Sequence, residues 1–285
     1  MEATVNGSST NDEKSILCEV SDLGVACLTL NRTSKNNAFN DTMIEALISN
    51  LNRLASQEGI RCLILKANGE HFSAGADLQW MQSMATQSRK KNQKDADRLA
   101  LLMSTLDRFP HPTIAVVQGC AFGGALGLIC CCDIAISDSN SQLCLSEVKL
   151  GLVPATIGPY VCRAMGIRQA RRYMLTAERI DAQTAKQLGL LNFVVETATL
   201  DLQTKMLVQS LLANSPEALT QAKLLCHRCD QQPIDDELIQ YTSHLIADIR
   251  VSPQGQEGLA AYFERRPPSW VLHPDASNSN EQDDE

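Results

Sequence analysis

An α/β domain continued by a mostly helical region is the architecture that this 285-residue sequence predicts. Two patterns carry the prediction. Between Ile16 and Cys132, short β-rich runs alternate with helical spacing, whereas from Tyr160 onward amphipathic helical segments dominate and a single aliphatic strand, Phe193 to Val195, interrupts them. A hydrophobic content of 44% gives both parts enough apolar surface for a sizeable core. The expected organisation is a polar tail over 1–13, an α/β core over 14–200, a helical region over 201–273 and an acidic tail over 274–285. No Pro- or Ser-rich linker and no exact internal repeat divides the chain.

In chain order, Ile16–Val20 and Val25–Leu30 flank Asp22-Leu23-Gly24 and predict a hairpin. Thr42 with Glu45 has capping-box spacing, followed by Met43, Ile44, Leu47, Leu51 and Leu54 at helical intervals. Cys62–Leu65 reads as a buried strand, and residues 80–107 as a polar helical stretch. Thr113–Val117 reads as the next strand, running through a glycine-rich turn into an apolar helix.

Charge and cysteine usage narrow the function classes. Twenty-five Lys and Arg against 33 Asp and Glu leave a net charge of −8, the wrong sign for a dedicated nucleic-acid binder. The basic run Arg89-Lys90-Lys91 with Lys94 reads as a solvated helix face. Asp133 cuts short the longest apolar run, Ala125–Cys132, far below the roughly 20 residues that cross a bilayer. Residues 1–13 lack the features of a secretory or organelle-targeting segment, so a cytoplasmic setting is expected. The eleven cysteines include the adjacent Cys130, Cys131 and Cys132 in an apolar stretch, which suits reduced, buried thiols. Cys226-His227-Arg228-Cys229 offers metal-ligand types, but no second pair stands at zinc-site spacing, so no metal is expected.

Three segments are candidates for chemistry. Gly119-Cys120-Ala121-Phe122-Gly123-Gly124-Ala125-Leu126-Gly127 joins a strand to a helix with little side-chain cover, so main-chain N–H groups and the helix start can meet a developing anion. It lacks the G-x-G-x-x-G and Gly-Lys-Ser/Thr patterns of nucleotide sites, and close helix-on-strand packing explains its glycines equally well. His71-Phe72-Ser73-Ala74-Gly75-Ala76-Asp77-Leu78 is a second run of small residues after a strand; two N–H donors converging from such loops would make an oxyanion hole. Glu147 lies in an aliphatic setting that would raise its pKa toward acid/base duty, unless it pairs with Lys149 or Arg163.

Together these segments resemble the enoyl-CoA hydratase/isomerase (crotonase) superfamily. The matching blocks are LNRTSKNNAFN (30–40), HFSAGADL (71–78), TIAVVQGCAFGGALGL (113–128), CDIAIS (132–137), SEVKLGLVPATIG (146–158), LTAERIDAQTAKQLGLLNFVV (175–195) and EGLAAYFERRPPSW (257–270). The resemblance implies a spiral of ββα repeats followed by a C-terminal helical trimerisation region, giving a homotrimer or a hexamer made of two trimers. It implies an acyl-CoA thioester substrate, with coenzyme A entering as part of that substrate and no separate cofactor. By similarity, the N–H groups of Ala76 and Gly124 would polarise the thioester carbonyl, and Glu147 would move the proton next to it. Lys35, Asn37, Ala38, Ala74 and Leu78 would line the CoA path, and Arg265 would contact a CoA phosphate.

One departure from the family pattern matters. Where Gly-Gly-Gly-x-Glu would carry a first catalytic glutamate, this chain reads Gly123-Gly124-Ala125-Leu126-Gly127, and Pro154-Ala155-Thr156-Ile157-Gly158 replaces the commoner Pro-Gly-x-Gly-Gly. The strings AFGGALGLICCCDIAI and CLSEVKLGLVPATIGPYV are most similar to the bacterial 3-methylglutaconyl-CoA and isohexenylglutaconyl-CoA hydratase branch. The expectation is a hydratase for a β-branched glutaconyl-type enoyl-CoA in leucine or acyclic-terpene breakdown, with Gly127 leaving room for the branch. A Δ3,Δ2-enoyl-CoA isomerase using Glu147 alone, and a non-catalytic binding protein on the same fold, are the alternatives.

Overall fold

A computed structural model describes residues 14–230 and 232–271; both expected tails, and the last two residues of the helical region, lie outside them. The first half of the chain runs through β1 (Ile16–Val20), β2 (Val25–Leu30), α1 (Asp41–Ala55), β3 (Cys62–Ala67), α2 (Leu78–Ala85) and α3 (Arg89–Asp107). Next come β4 (Thr113–Val117), β5 (Cys120–Phe122), α4 (Gly124–Cys131), β6 (Ile134–Asp138), β7 (Gln142–Cys144), α5 (Gly158–Met165) and α6 (Ile167–Thr176). The remainder is β8 (Ile180–Asp181), α7 (Ala182–Gln187), β9 (Phe193–Val195), α8 (Leu200–Leu212), α9 (Pro216–Cys229), α10 (Asp236–Val251) and α11 (Pro253–Glu264).

The main sheet has the order β1-β2-β3-β4-β6-β9, with β1 and β2 forming the expected antiparallel hairpin and all later pairs parallel. Parallel strands need cover on both faces, and β4 is buried at every residue. One face meets α1, whose Met43, Ile44, Leu47, Ile48, Leu51 and Leu54 are buried, each worth about 1.5–3 kcal/mol of apolar burial. The other face places Ile114, Val116 and Ile136 against Leu200 at the start of α8. Burial also sets the thiols: it pushes Cys62 up to about 11 and Cys132 up to about 12, so both stay protonated.

A second, thinner layer explains how the chain climbs. Isolated parallel bridges Phe39↔Ala76 and Ser73↔Ala121 lead into a small sheet in which β7 lies between β5 and β8. Each turn therefore contributes one strand to the main sheet, one short extended segment to the thin layer and then a helix: β2, Phe39, α1; β3, residues 73–76, α2; β4, β5, α4; β6, β7, α5. That is a spiral of ββα units, as the resemblance implied. Most of these thin-layer segments run to one to three residues, too few for side-chain alternation to show in the sequence.

Two local expectations change. The cap of α1 is Asn40, whose Oδ1 accepts the Met43 N–H at 3.0 Å, while Thr42 lies inside the helix and Glu45 pairs with Arg98. Residues 80–107 are two helices, because α2 ends at Ala85 and Ser88 caps α3. Cys226 and Cys229 sit exposed on α9, and among the described residues no three His, Cys, Asp or Glu side chains converge as metal ligands.

Candidate active site

Three successive turns of the spiral bring their chemistry to the same level, where the thin layer hands over to a helix. In the second turn this is Ala76, just before α2; in the third it is Gly124, the first residue of α4; in the fourth it is Glu147, which opens a 3-10 turn over Glu147–Leu150 after β7. Backbone bonds knit the turns together: Phe122 N–H to Ser73 O at 3.0 Å, and Gly123 N–H to Cys144 O at 2.9 Å.

Each N–H donor follows a glycine in the left-handed region, Gly75 at φ 93° and Gly123 at φ 54°, a conformation that aims the next peptide and that side chains resist. Neither N–H has an acceptor within the chain among the described residues: Ala76 makes no such bond, and Gly124 stands at a helix start that Gly123 cannot cap. Alternation along 73–78 buries Ser73, Gly75 and Asp77 and exposes Ala74, Ala76 and Leu78, the last 76% exposed. All three exposed positions were sequence candidates.

Glu147 leans over the second donor. A Cβ added at Gly123 would lie 3.2 Å from Glu147 Oε1, which makes glycine the fitting residue there. Its other oxygen, Oε2, is buried without a hydrogen-bond partner. Burial pushes the carboxyl pKa above the ordinary glutamate value, and the residue's own backbone N–H offsets only part of that. Pairing with Arg163 is ruled out by geometry, since that guanidinium holds Asp107 and faces Asp230. A carboxyl with a raised pKa, one oxygen unpartnered and set beside the Gly123–Gly124 turn, is chemically suited to moving a proton next to a carbonyl held by unengaged N–H donors.

Residues 21–272 match the sequence profile described as Enoyl-CoA hydratase/isomerase. The chain belongs to the enoyl-CoA hydratase/isomerase family. A solved enoyl-CoA hydratase from Shewanella pealeana is 50% identical, with a TM-score of 0.87 over 90% of this chain and 96% of that one. Enoyl-CoA hydratase AKT6-1 of Alternaria alternata is 32% identical over 85% of this chain and 80% of its own length. The 2,3-dehydroadipyl-CoA hydratase of Escherichia coli is 28% identical over 86% and 94%.

Two of the expected substrate contacts change meaning in the fold. Asn37 is 1% exposed and its amide is fully engaged: Nδ2 donates to Asn68 O and His71 O, and Oδ1 accepts from Arg32 N–H. Its side chain clamps the 35–38 segment from inside, between exposed Lys35 and buried Ala38, and does not face outward to line a path. Asn37→Ala is expected to destabilise the fold by about 2–4 kcal/mol, from buried groups left unpaired, as read by chemical denaturation.

The room expected beside Gly127 is not there. A Cβ at Gly127 would come 2.3 Å from Ile157 Cγ2 and 2.9 Å from Met103 Sδ, and both side chains are fully buried. Arg265 ends α11, which packs on α9 and α10, and no hydrogen bond or ion pair links it to the site loops among the described residues. The sequence assigned no role to Arg32, Asp77 or Ile157, although all three stand inside the quoted motif blocks, and gave no sign of Met103, which lies outside them.

Proposed function

We propose that the chain hydrates a β-branched, glutaconyl-type enoyl-CoA with Glu147 as its single proton carrier. The unpartnered Oε2 of Glu147, buried beside the Gly123–Gly124 turn, carries the reading. Ionised Glu147 takes a proton from water as the water oxygen bonds to the β-carbon. The π electrons move onto the thioester oxygen, held by the Ala76 and Gly124 N–H groups; the enolate then collapses as Glu147 returns the proton to the α-carbon. Atoms and charge balance with one carboxylate. The E. coli relative's named substrate is a thioester of a diacid, which supports an acyl group ending in a carboxylate.

The packing at Gly127 favours a second reading. With Ile157 and Met103 filling that position, the turn of α4 beyond the Gly124 donor offers no second base, as a Δ3,Δ2-enoyl-CoA isomerase needs none. Loss of conjugated absorbance with 3-methylglutaconyl-CoA, isohexenylglutaconyl-CoA or crotonyl-CoA supports hydration; gain of absorbance with a 3-enoyl-CoA and none lost with the others replaces it by isomerisation. The proposal has the chain act as a trimer or pair of trimers in the cytoplasm, without metal or redox cofactor. In it Arg265, beside the exposed Tyr262 and Phe263, reaches a CoA phosphate on a neighbouring copy.

A further inference from the structure

We propose that Arg32 is a positioning residue that strengthens the oxyanion donor Ala76 through two intervening peptide groups. The inference rests on the reading of Ala76 N–H as a holder of the thioester oxygen. Arg32 Nη1 donates to the carbonyl of Ala38. That carbonyl shares a peptide group with the Phe39 N–H, which donates to Gly75 O at 2.7 Å. The Gly75 carbonyl in turn shares its peptide group with the Ala76 N–H. A trans peptide sets its C=O and N–H in opposite directions, and no cis bond occurs among the described residues. The chain guanidinium, Ala38 carbonyl, Phe39 N–H, Gly75 carbonyl, Ala76 N–H is thus a line of dipoles that all point the same way, with a cation at its tail. Hydrogen bonds in such a series polarise one another, most strongly where water is kept out.

The surroundings hold this line in place. Arg32 is mostly shielded, and its Nη2 is anchored at 3.0 Å by Asp77 Oδ2, whose side chain is 8% exposed. Asp77 Oδ1 accepts from the N–H groups of Gln79 and Trp80 and so caps α2. The cation therefore cannot swing away from Ala38 without giving up Asp77. Its effect is worth most when the thioester oxygen carries full enolate charge, so it belongs to the rate more than to ground-state binding.

The test uses butyryl-CoA carrying 13C at its carbonyl, bound to the full chain, with isotope-edited infrared spectra and α-proton exchange in D2O. In the wild type the labelled band shifts to lower frequency on binding. Arg32→Met is expected to lose part of that shift and to lower kcat for exchange about tenfold, a barrier increase of about 1.4 kcal/mol, with KM changed less than about threefold. Arg32→Lys, which keeps a cation with poorer geometry, falls between them and carries the test should the methionine variant not fold. Asp77→Asn keeps a helix-capping oxygen but removes the counter-charge, so its band is expected to shift at least as far as in the wild type. Absence of any shift in the wild type overturns the oxyanion reading itself. A wild-type shift retained by Arg32→Met overturns the relay alone, and so does equal loss in Arg32→Met and Asp77→Asn, which marks a bracket that only holds the loop.

Discussion

Replacing Glu147 with Gln is expected to lower turnover by about 10³-fold or more while leaving acyl-CoA affinity within a few fold, because the substitution keeps shape and removes the proposed proton carrier. The pH dependence follows from the environment of the carboxylate. Desolvation raises its pKa above the ordinary 4.5, and the form that accepts a proton from water is the ionised one. Wild-type activity is therefore expected to fall on the acid side with a midpoint higher than an exposed glutamate would give, and this limb disappears with the carboxylate. Stability responds with the opposite sign. A folded-state pKa raised above the unfolded value means that ionising Glu147 costs stability, beginning as pH rises past the unfolded value and complete above the folded one. Thermal unfolding from pH 4 to pH 8 should show this cost in the wild type and lack it in Glu147→Gln. An acid limb that persists in the variant would assign the titration to another group.

Such a cost is in keeping with the role proposed for Glu147. With Arg163 held by Asp107, Glu147 keeps Oε2 buried and unpartnered, and selection for stability alone would not favour that arrangement. The sequence hinted at this through its aliphatic neighbours, Leu145 and Val148, but residue types cannot say which way a side chain turns. Placement of the N–H donors was more legible. A glycine precedes both Ala76 and Gly124, and although helix-on-strand packing explains such residues equally well, two such runs at strand-to-helix junctions already suggest a shared purpose. The main sheet was legible from its apolar runs: β2 and β3 are largely buried, and β4 is buried at every residue. What stayed hidden depends on contacts between residues far apart in the chain. Asn37 sits in a polar motif and looks like a ligand contact, yet its amide joins residues 32, 68 and 71. Arg32 and Asp77 are 45 positions apart, and only the bridge from Phe39 to Ala76 brings their segments together.

Gly127 is the position where sequence reasoning and packing diverge most, and it supports the second large prediction. Read along the chain, a glycine in place of a glutamate is a vacancy, room into which a larger substrate could grow. In the fold that space belongs to Ile157, delivered by the loop after Glu147, and to Met103 from α3. Gly127→Ala should therefore destabilise by about 1–3 kcal/mol through overpacking, even though alanine is the better helix former by roughly 1 kcal/mol. Ile157→Ala alone should cost about 2–5 kcal/mol by leaving a cavity. Because the added methyl group enters the space vacated, the double variant should be more stable than the sum of the two losses by about 1–3 kcal/mol, a coupling that denaturant titration of the four proteins measures directly. Additive losses would mean that the two side chains do not compete for one volume, and would restore the view of Gly127 as open space. The same competition decides what Gly127→Glu can do. Its carboxylate would have to displace two buried side chains before meeting any water, so the expected outcome is a poorly folded protein with no gain in crotonyl-CoA hydration. Only substitutions that also shorten Ile157 give a second carboxylate a place to stand, so the loop from Pro154 to Gly158 and the α4 residue it packs on decide together whether one fits.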